Sequence, residues 1–324
     1  MRKRLVLITA AFLSLVLFAG LFAGCGTNKT GSEKKDQSLK IGVLYIEDNL
    51  PLFVAEAEKR FEKAGIDVAL VPFPSAAERD AAIQAGQIDG EAADIVAASL
   101  LKKGGTDVRI TSITLGVTPE EGRFVLLGSP DSEFNSVSDL ADVDIAISEN
   151  TIIEYITDML LLRNGLEKDQ IKKLGIPKMP IRLQMLVNNQ VKAALLPDPL
   201  ASLAEKQGAR VILDDTMSDM NVSQVVMLFR KDSIDSKKES IKKLIDIYGE
   251  AAAALTQNPE QYRSLLIEKA RIPEPVKNTY KSPTFSPPQA PSEQDVLNVV
   301  NWMVDKKLLD KPFTYDELVD DTLI

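Results

Sequence analysis

Five carboxylates stand where a chain of alternating strands and helices would place its binding loops: Glu47, Asp48, Glu91, Glu149 and Asp198. Polar or helix-starting neighbours accompany them: Asn49, Leu50, Ser75, Ser112, Thr114, Ser148, Asn150, Thr151 and Pro197. These loops carry no Arg or Lys. Carboxylates gathered without a cation suit N–H donors or a positive charge, whereas a buried anion usually wants a guanidinium or ammonium partner. A neutral or cationic nitrogen-containing small molecule is therefore the expected occupant. Histidine is absent from all 324 residues. That removes His-assisted nucleophiles, His-ligated zinc and imidazole bases. The balance moves from catalysis toward binding, and no cofactor or metal is expected.

Two short motifs give these residues a frame. Ser75 is followed three places later by Glu78, and Thr151 by Glu154. Both fit S/T-x-x-E, the capping box in which the cap side chain and the glutamate satisfy orphan amides reciprocally. Each follows a strand pattern and so lies at the carboxyl end of a sheet, where open α/β folds place ligands. A helix start there offers free N–H groups and a partial positive charge. One such start in each half predicts two walls facing across one cleft.

The elements that position them read as α/β. "LKIGVLYI" (39–46) is a nearly continuous apolar strand, and "LPLFVAEAEKRFEKAG" is a helix with Pro51 in its first turn and Gly65 at its end. "IDVALVPF" (66–73), "VRITSITLG" (108–116), "VDIAIS" (143–148), "VKAALLP" (191–197) and "ARVIL" (209–213) are further strands between helical stretches. From about Ser233 the pattern turns helical. "SPTFSPPQAP" (282–291) is a proline-rich connector, and the last long helix buries the only tryptophan, Trp302. Residues 87–108 laid over 190–211, a constant offset of 103, give seven identities in 22 positions: Gln87/Gln190, Ala98/Ala201, Ser99/Ser202, Leu100/Leu203, Lys103/Lys206, Gly105/Gly208 and Val108/Val211. A gapless match of that kind predicts two lobes of similar build.

The amino terminus has its own logic. Arg2, Lys3 and Arg4 precede an uncharged apolar run from Leu5 to Gly24, the layout of a secretory signal. Ala23-Gly24-Cys25 then resembles the lipobox of bacterial lipoproteins, with Phe22 where leucine is usual. This predicts a signal peptide over 1–24, lipidation of Cys25, a flexible tether over 25–38, and an extracytoplasmic, membrane-anchored product. A membrane-spanning helix is the other reading of such a run. Losing residues 1–24 takes the formal charge from −9 to −12, since Arg2, Lys3 and Arg4 go with them. Such acidity argues against nucleic acid. Cys25 is the only cysteine, so no intrachain disulfide can form.

Taken together, "LPLFVAEAEKRFEKAGIDVALVPFPSAAERDAAIQAGQIDG", "DLADVDIAISENTIIEY" and "AALLPDPLA" resemble the type II periplasmic solute-binding proteins of ABC importers, in the branch of nitrate, sulfonate, taurine and thiamine-precursor binders. The resemblance implies two α/β lobes, each a mostly parallel sheet flanked by helices, joined by two hinge crossings near 123–129 and 223–230. Lobe one is then 39–126 plus 222–324, and lobe two 127–221. It also implies a small-molecule solute held between the lobes, permease and ATPase subunits as partners, a monomer, and no enzymatic activity. An enzyme on the same fold, of the pyrimidine- or menaquinone-pathway type, and a surface ligand sensor are the alternatives.

Overall fold

Leu39, Ile41 and Val43 alternate with Lys40 and Gly42 along the first strand, and all three are fully buried. The computed structural model describes residues 38–218 and 221–324; Cys25, the signal segment and nearly all of the tether lie outside them. Ten strands form: β1 (Leu39–Val43), β2 (Val68–Pro72), β3 (Gly90–Ala93), β4 (Val108–Leu115), β5 (Phe124–Gly128), β6 (Asp144–Ile147), β7 (Lys172–Gly175), β8 (Ala193–Pro197), β9 (Arg210–Asp214) and β10 (Val225–Arg230). The α-helices are α1 (Leu50–Ala57), α2 (Arg60–Lys63), α3 (Ala76–Gln84), α4 (Ile95–Lys103), α5 (Ile152–Arg163), α6 (Met179–Val187), α7 (Leu200–Lys206), α8 (Lys231–Gln257), α9 (Arg263–Lys269), α10 (Glu293–Asp305) and α11 (Tyr315–Leu318).

The strands make two five-stranded sheets with the same plan, β2-β1-β3-β10-β4 and β7-β6-β8-β5-β9. In the first, β10 runs antiparallel to β3 and β4. In the second, β5 runs antiparallel to β8 and β9. The other four strands of each sheet share one direction, so their carboxyl ends lie along one edge. The 103-residue offset extends well beyond the 22-residue match. Helix α3 maps onto α6 residue for residue, and β3 maps onto β8.

The segments expected to cross between lobes both lie inside sheets. Residues 124–128 form β5, bonded only to strands of the second sheet, and 225–230 form β10 in the first. The links between sheets are the stretches 116–123 and 215–224 beside them. The expected lobe edge at Leu126/Leu127 therefore falls within β5. An antiparallel strand fed from the other sheet reads in sequence as one apolar run, which hides the point where the chain changes sheet. Each of the two apolar clusters draws on both sheets; Leu115 and Ala146 share one, Ile113 and Ile145 the other.

The carboxy-terminal helix joins the halves. Trp302 on α10 is 7% exposed. Its Nε1 donates to Asp158 of α5 at 2.9 Å, and its ring meets Tyr155 edge-on at 5.4 Å. Lys306 donates to Glu154 at 2.5 Å. Trp302 is thus a core residue, as its spacing suggests, with its one polar atom satisfied.

Strand β3, "GEAA", is short and has no β-branched residue, because its neighbour leaves no room. A Cβ on Gly90 would lie 2.4 Å from the Phe229 ring and 2.6 Å from the Leu228 carbonyl oxygen. Gly90→Ala is expected to cost about 2–3 kcal/mol by overpacking, read as a lower denaturation midpoint. A variant within about 0.5 kcal/mol of wild type contradicts that packing.

Candidate functional site

The chain leaves β1 through a single 3-10 turn, Glu47–Asn49, and enters α1 at the fully buried Leu50, with Pro51 in the first turn. This turn buries polar groups. Glu47 is 4% exposed and Asn49 1%, and the Asn49 Oδ1 has no hydrogen-bond partner. Glu47 accepts a hydrogen bond from the Tyr280 hydroxyl, itself buried in the segment just before the proline-rich connector. Burial pushes the Glu47 carboxyl well above the usual carboxylate range; the like charges of Asp48 and Asp198 add to this, and the Tyr280 bond opposes it. Asp198 follows β8 of the second sheet. Glu47 and Asp198 thus bring the two halves of the chain to one point.

Asp198 starts α7. It accepts bonds from the Ser202 backbone N–H and hydroxyl at 2.8 Å, and lies 3.6 Å from the Arg123 guanidinium. Burial nonetheless raises its pKa. Pro197 ends β8, opposite Phe124.

A second cluster surrounds Arg79, in the first turn of α3. Its Nε lies 3.4 Å from Glu91, its Nη2 2.8 Å from Asp80, and its Nη1 donates to the Ala92 carbonyl at 2.5 Å. Arg79 is 4% exposed and Glu91 fully buried. Burial raises the Glu91 carboxyl despite the opposing charge of Arg79. Burial works against the Arg79 charge too, but Glu91, Asp80 and Asp94 more than offset it. Asp94 caps α4 by accepting from Ala97 N–H at 2.8 Å. Burial lifts both Asp48 and Asp94 to about 6, with Arg79 pulling each back.

The loops carry no cation, as the sequence shows, but one reaches their acids from a neighbouring helix. Arg79 sits inside the helix that Ser75 starts, one residue after Glu78, and a search confined to loops passes over it. It is outnumbered by Asp48, Asp80, Glu91 and Asp94, so the acid excess holds. Arg79, Asp94 and Tyr280 join the site, and no motif in the sequence singles out Asp94 or Tyr280.

The two expected capping boxes are helix caps without the reciprocal bond. Ser75 Oγ accepts from Glu78 N–H at 3.3 Å, but Glu78 takes a bond from the Ser75 hydroxyl, not from its amide. Thr151 Oγ1 accepts from Ile153 N–H at 3.2 Å and donates to the Ser148 carbonyl at 2.7 Å. Glu154 instead accepts from Asn150 N–H at 2.7 Å and from Lys173 at 2.8 Å. The two lysines, Lys173 and Lys306, draw its side chain away from the cap, and Asn150 takes the left-handed conformation (φ 58°).

The remaining candidates are dispersed. Ser112 and Thr114 lie within β4, and the Thr114 hydroxyl donates to the Val225 carbonyl at 3.3 Å, bracing one strand against the next. Ser148 accepts from Arg182 Nη1 at 2.9 Å, while the Glu149 carboxylate packs on Gly175 at the sheet edge. Two hollows lie away from most of these residues. One, about 640 Å³, lies between α5, β7 and α10 and is lined by Glu149, Asp158, Lys173 and Trp302. The other, about 10 Å³, lies beside Ile95, Ile152 and Gln224. Neither of these two is lined by Ser75 or Thr151. Glu47, Asp48 and Asp198 line neither hollow, and Glu47 is packed shut.

Among known proteins, residues 32–267 match the model of the NMT1-like family. An ABC transporter periplasmic binding protein of Brachyspira hyodysenteriae is 24% identical over 274 residues, covering 80% of this chain and 76% of that protein. The alkanesulfonate-binding protein SsuA of Xanthomonas axonopodis pv. citri, solved with MOPS bound, superposes with a TM-score of 0.74 at 18% identity, covering 88% of this chain and 98% of that one. The desulfurization enzyme DSZB has the same fold, with a TM-score of 0.65 at 15% identity over 88% and 97% of the two chains. No helix among the described residues is long and apolar enough to cross a membrane.

Proposed function

The chain belongs to the NMT1-like family, and from that premise we propose that it is the lipid-anchored, extracytoplasmic solute-binding component of an ABC importer. It takes a small nitrogen-containing metabolite between two lobes and hands it to the permease, without chemical change to the solute. Cys25 carries the anchor. The lobes are 39–115 plus 225–324 and 124–214, the expected edge at 126/127 moving to the start of β5, and they hinge about the links 116–123 and 215–224. Glu47, Asp48, Asn49, Leu50, Ser75, Glu91, Ser112, Thr114, Ser148, Glu149, Asn150, Thr151, Pro197 and Asp198 supply its contacts and supports.

One observation carries this reading. Glu47 and Asp198 come from different sheets, follow β1 and β8, and lie close enough for the Asp198 charge to disfavour ionisation of Glu47. Like charges brought together from two lobes are costly when the site is empty. A cationic or N–H-rich solute relieves that cost. Hinge motion then couples solute capture to a joined surface for the permease. The similarity of the Brachyspira protein, named as a transporter binding protein, supports the same reading.

Calorimetry of the full chain against amines and pyrimidine-like heterocycles, beside taurine and nitrate, tests it. Stoichiometric binding of a nitrogen base, recovered unaltered, is expected, and Glu47→Gln should weaken it about tenfold. Tight binding of nitrate or taurine with no response to nitrogen bases contradicts the solute class. Turnover of a bound compound favours the enzyme reading, which the shared fold of DSZB keeps in view.

A further inference from the structure

Helix α10 lies outside the internal repeat and touches both halves of the chain. It packs on α4, which follows β3 of the first sheet. In its first turn Asp295 accepts from Gln224 Nε2 at 3.0 Å, and Gln224 belongs to the link 215–224. Farther along, Trp302 donates to Asp158 at 2.9 Å, and Lys306, just past the end of the helix, donates to Glu154 at 2.5 Å. Both acids stand on α5, which follows β6 of the second sheet. Lys173 of β7 lies 2.8 Å from Glu154 and 2.5 Å from Asp158. Each acid is thus shared between a lysine of its own half and a group of the α10 segment. This seam connects the halves in addition to the two stretches of chain that run between the sheets.

Two features set the seam apart from a sealed core. Glu154 and Asp158 are buried, yet both line the hollow of about 640 Å³ together with Lys173, Trp302 and Lys306. Water entering from that side can solvate the acids and lysines as they part, so separation leaves no charge stranded in an apolar interior. On the other flank, Ile152 and Tyr155 of α5, Val299 of α10 and Gln224 line the hollow of about 10 Å³. There the buried Gln224 Oε1 has no hydrogen-bond partner. A closely knit core leaves few such gaps and few such orphan atoms.

The lever is short but sufficient. Along α10, Trp302 lies roughly 10 Å and Lys306 roughly 16 Å beyond Asp295, at about 1.5 Å per residue. A lobe rotation of about 15° about the link moves a point 16 Å out by roughly 4 Å. That parts the bond from Lys306 to Glu154. We propose that α10 is an interlobe latch: its contacts with Asp158 and Glu154 hold the lobes together, and they must part for the lobes to open. This rests on the two-lobe reading above and adds a regulatory contact to it. The latch sets what fraction of the empty protein stands open, and through that fraction the apparent affinity for the solute.

Trp302 is the only tryptophan, so its emission reports on the seam directly. The full chain is compared, without solute, with Lys306→Met, Asp158→Ala and the two combined. Acrylamide should quench the combined variant at least about twice as efficiently as wild type, because a parted seam exposes the indole. Its radius of gyration in small-angle scattering should exceed the roughly 20 Å of a compact chain of this length by on the order of 1 Å. Lys306→Met alone should move both readings part of the way, and Lys306→Arg should stay near wild type. A lower melting temperature with quenching and radius unchanged makes the seam a static core contact and overturns the latch. Stronger quenching at an unchanged radius means local fraying of α10 and overturns it too. If variants carrying Asp158→Ala fail to fold, Lys306→Met, whose side chain is partly exposed, decides by the same two readings. No solute enters this experiment, so its failure leaves the receptor reading standing. Failure of the calorimetry with nitrogen bases leaves the latch standing in turn.

Discussion

Arg79→Met should be the most damaging single change in the first half of the chain, lowering stability by about 3–5 kcal/mol. The side chain is 4% exposed and holds Glu91, Asp80 and the Ala92 carbonyl. Removing it leaves Glu91, whose two oxygens have no hydrogen-bond partner, buried without any cation. The loss is worst where Glu91 would ionise, so the variant should suffer more at pH 8.5 than at pH 5.5. Arg79→Met combined with Glu91→Gln removes both charges and should recover much of the loss. In a double-mutant cycle by urea unfolding, the coupling should exceed about 1.5 kcal/mol. Additive losses would show that the two side chains do not act as a pair.

This cluster also shows what the sequence makes legible. Fold class follows from apolar runs alternating with helical periods, because parallel strands covered on both faces cannot hide their composition. The repeat was visible because 87–108 and 190–211 share residues. Its upstream half has almost no identities apart from Arg79/Arg182, yet α3 and α6 begin and end at the same offset. The carboxylates after β1 and β8 were legible because they directly follow strong strand patterns. Strand β3 was not: Gly90, Ala92 and Ala93 carry no strand signal, and at Gly90 the Phe229 ring and the Leu228 carbonyl leave no room for a side chain. Strand β7, "KKLG", is an edge strand with a polar face and was equally hidden. Tyr280 reaches Glu47 across 233 residues of chain, a contact that only tertiary structure creates.

The same acids predict an unusual response to pH. Asp48 and Asp94 ionise near 6 in the folded chain, and Glu47 and Glu91 are raised as well. In the unfolded chain such groups ionise near 4. Between these values the folded form holds protons that the unfolded form has lost, so stability falls as pH rises through that window. A two-unit shift corresponds to about 2.7 kcal/mol per group at full effect, less where solvent screens Asp48. Acids lowered by partners, such as Glu154 between Lys173 and Lys306, act oppositely, but their stabilisation is lost only as pH falls below about 4. The empty protein should therefore melt several degrees higher at pH 5.5 than at pH 8.5, and Asp48→Asn should flatten the profile. A flat or rising profile in wild type would mean that these carboxylates are better solvated than their packing indicates. A cationic group seated among them reverses the shift. Binding near pH 6 should then release protons, seen as a buffer-dependent heat in calorimetry, and affinity should strengthen as pH rises through 6. Proton uptake on binding would place the positive end of the solute elsewhere.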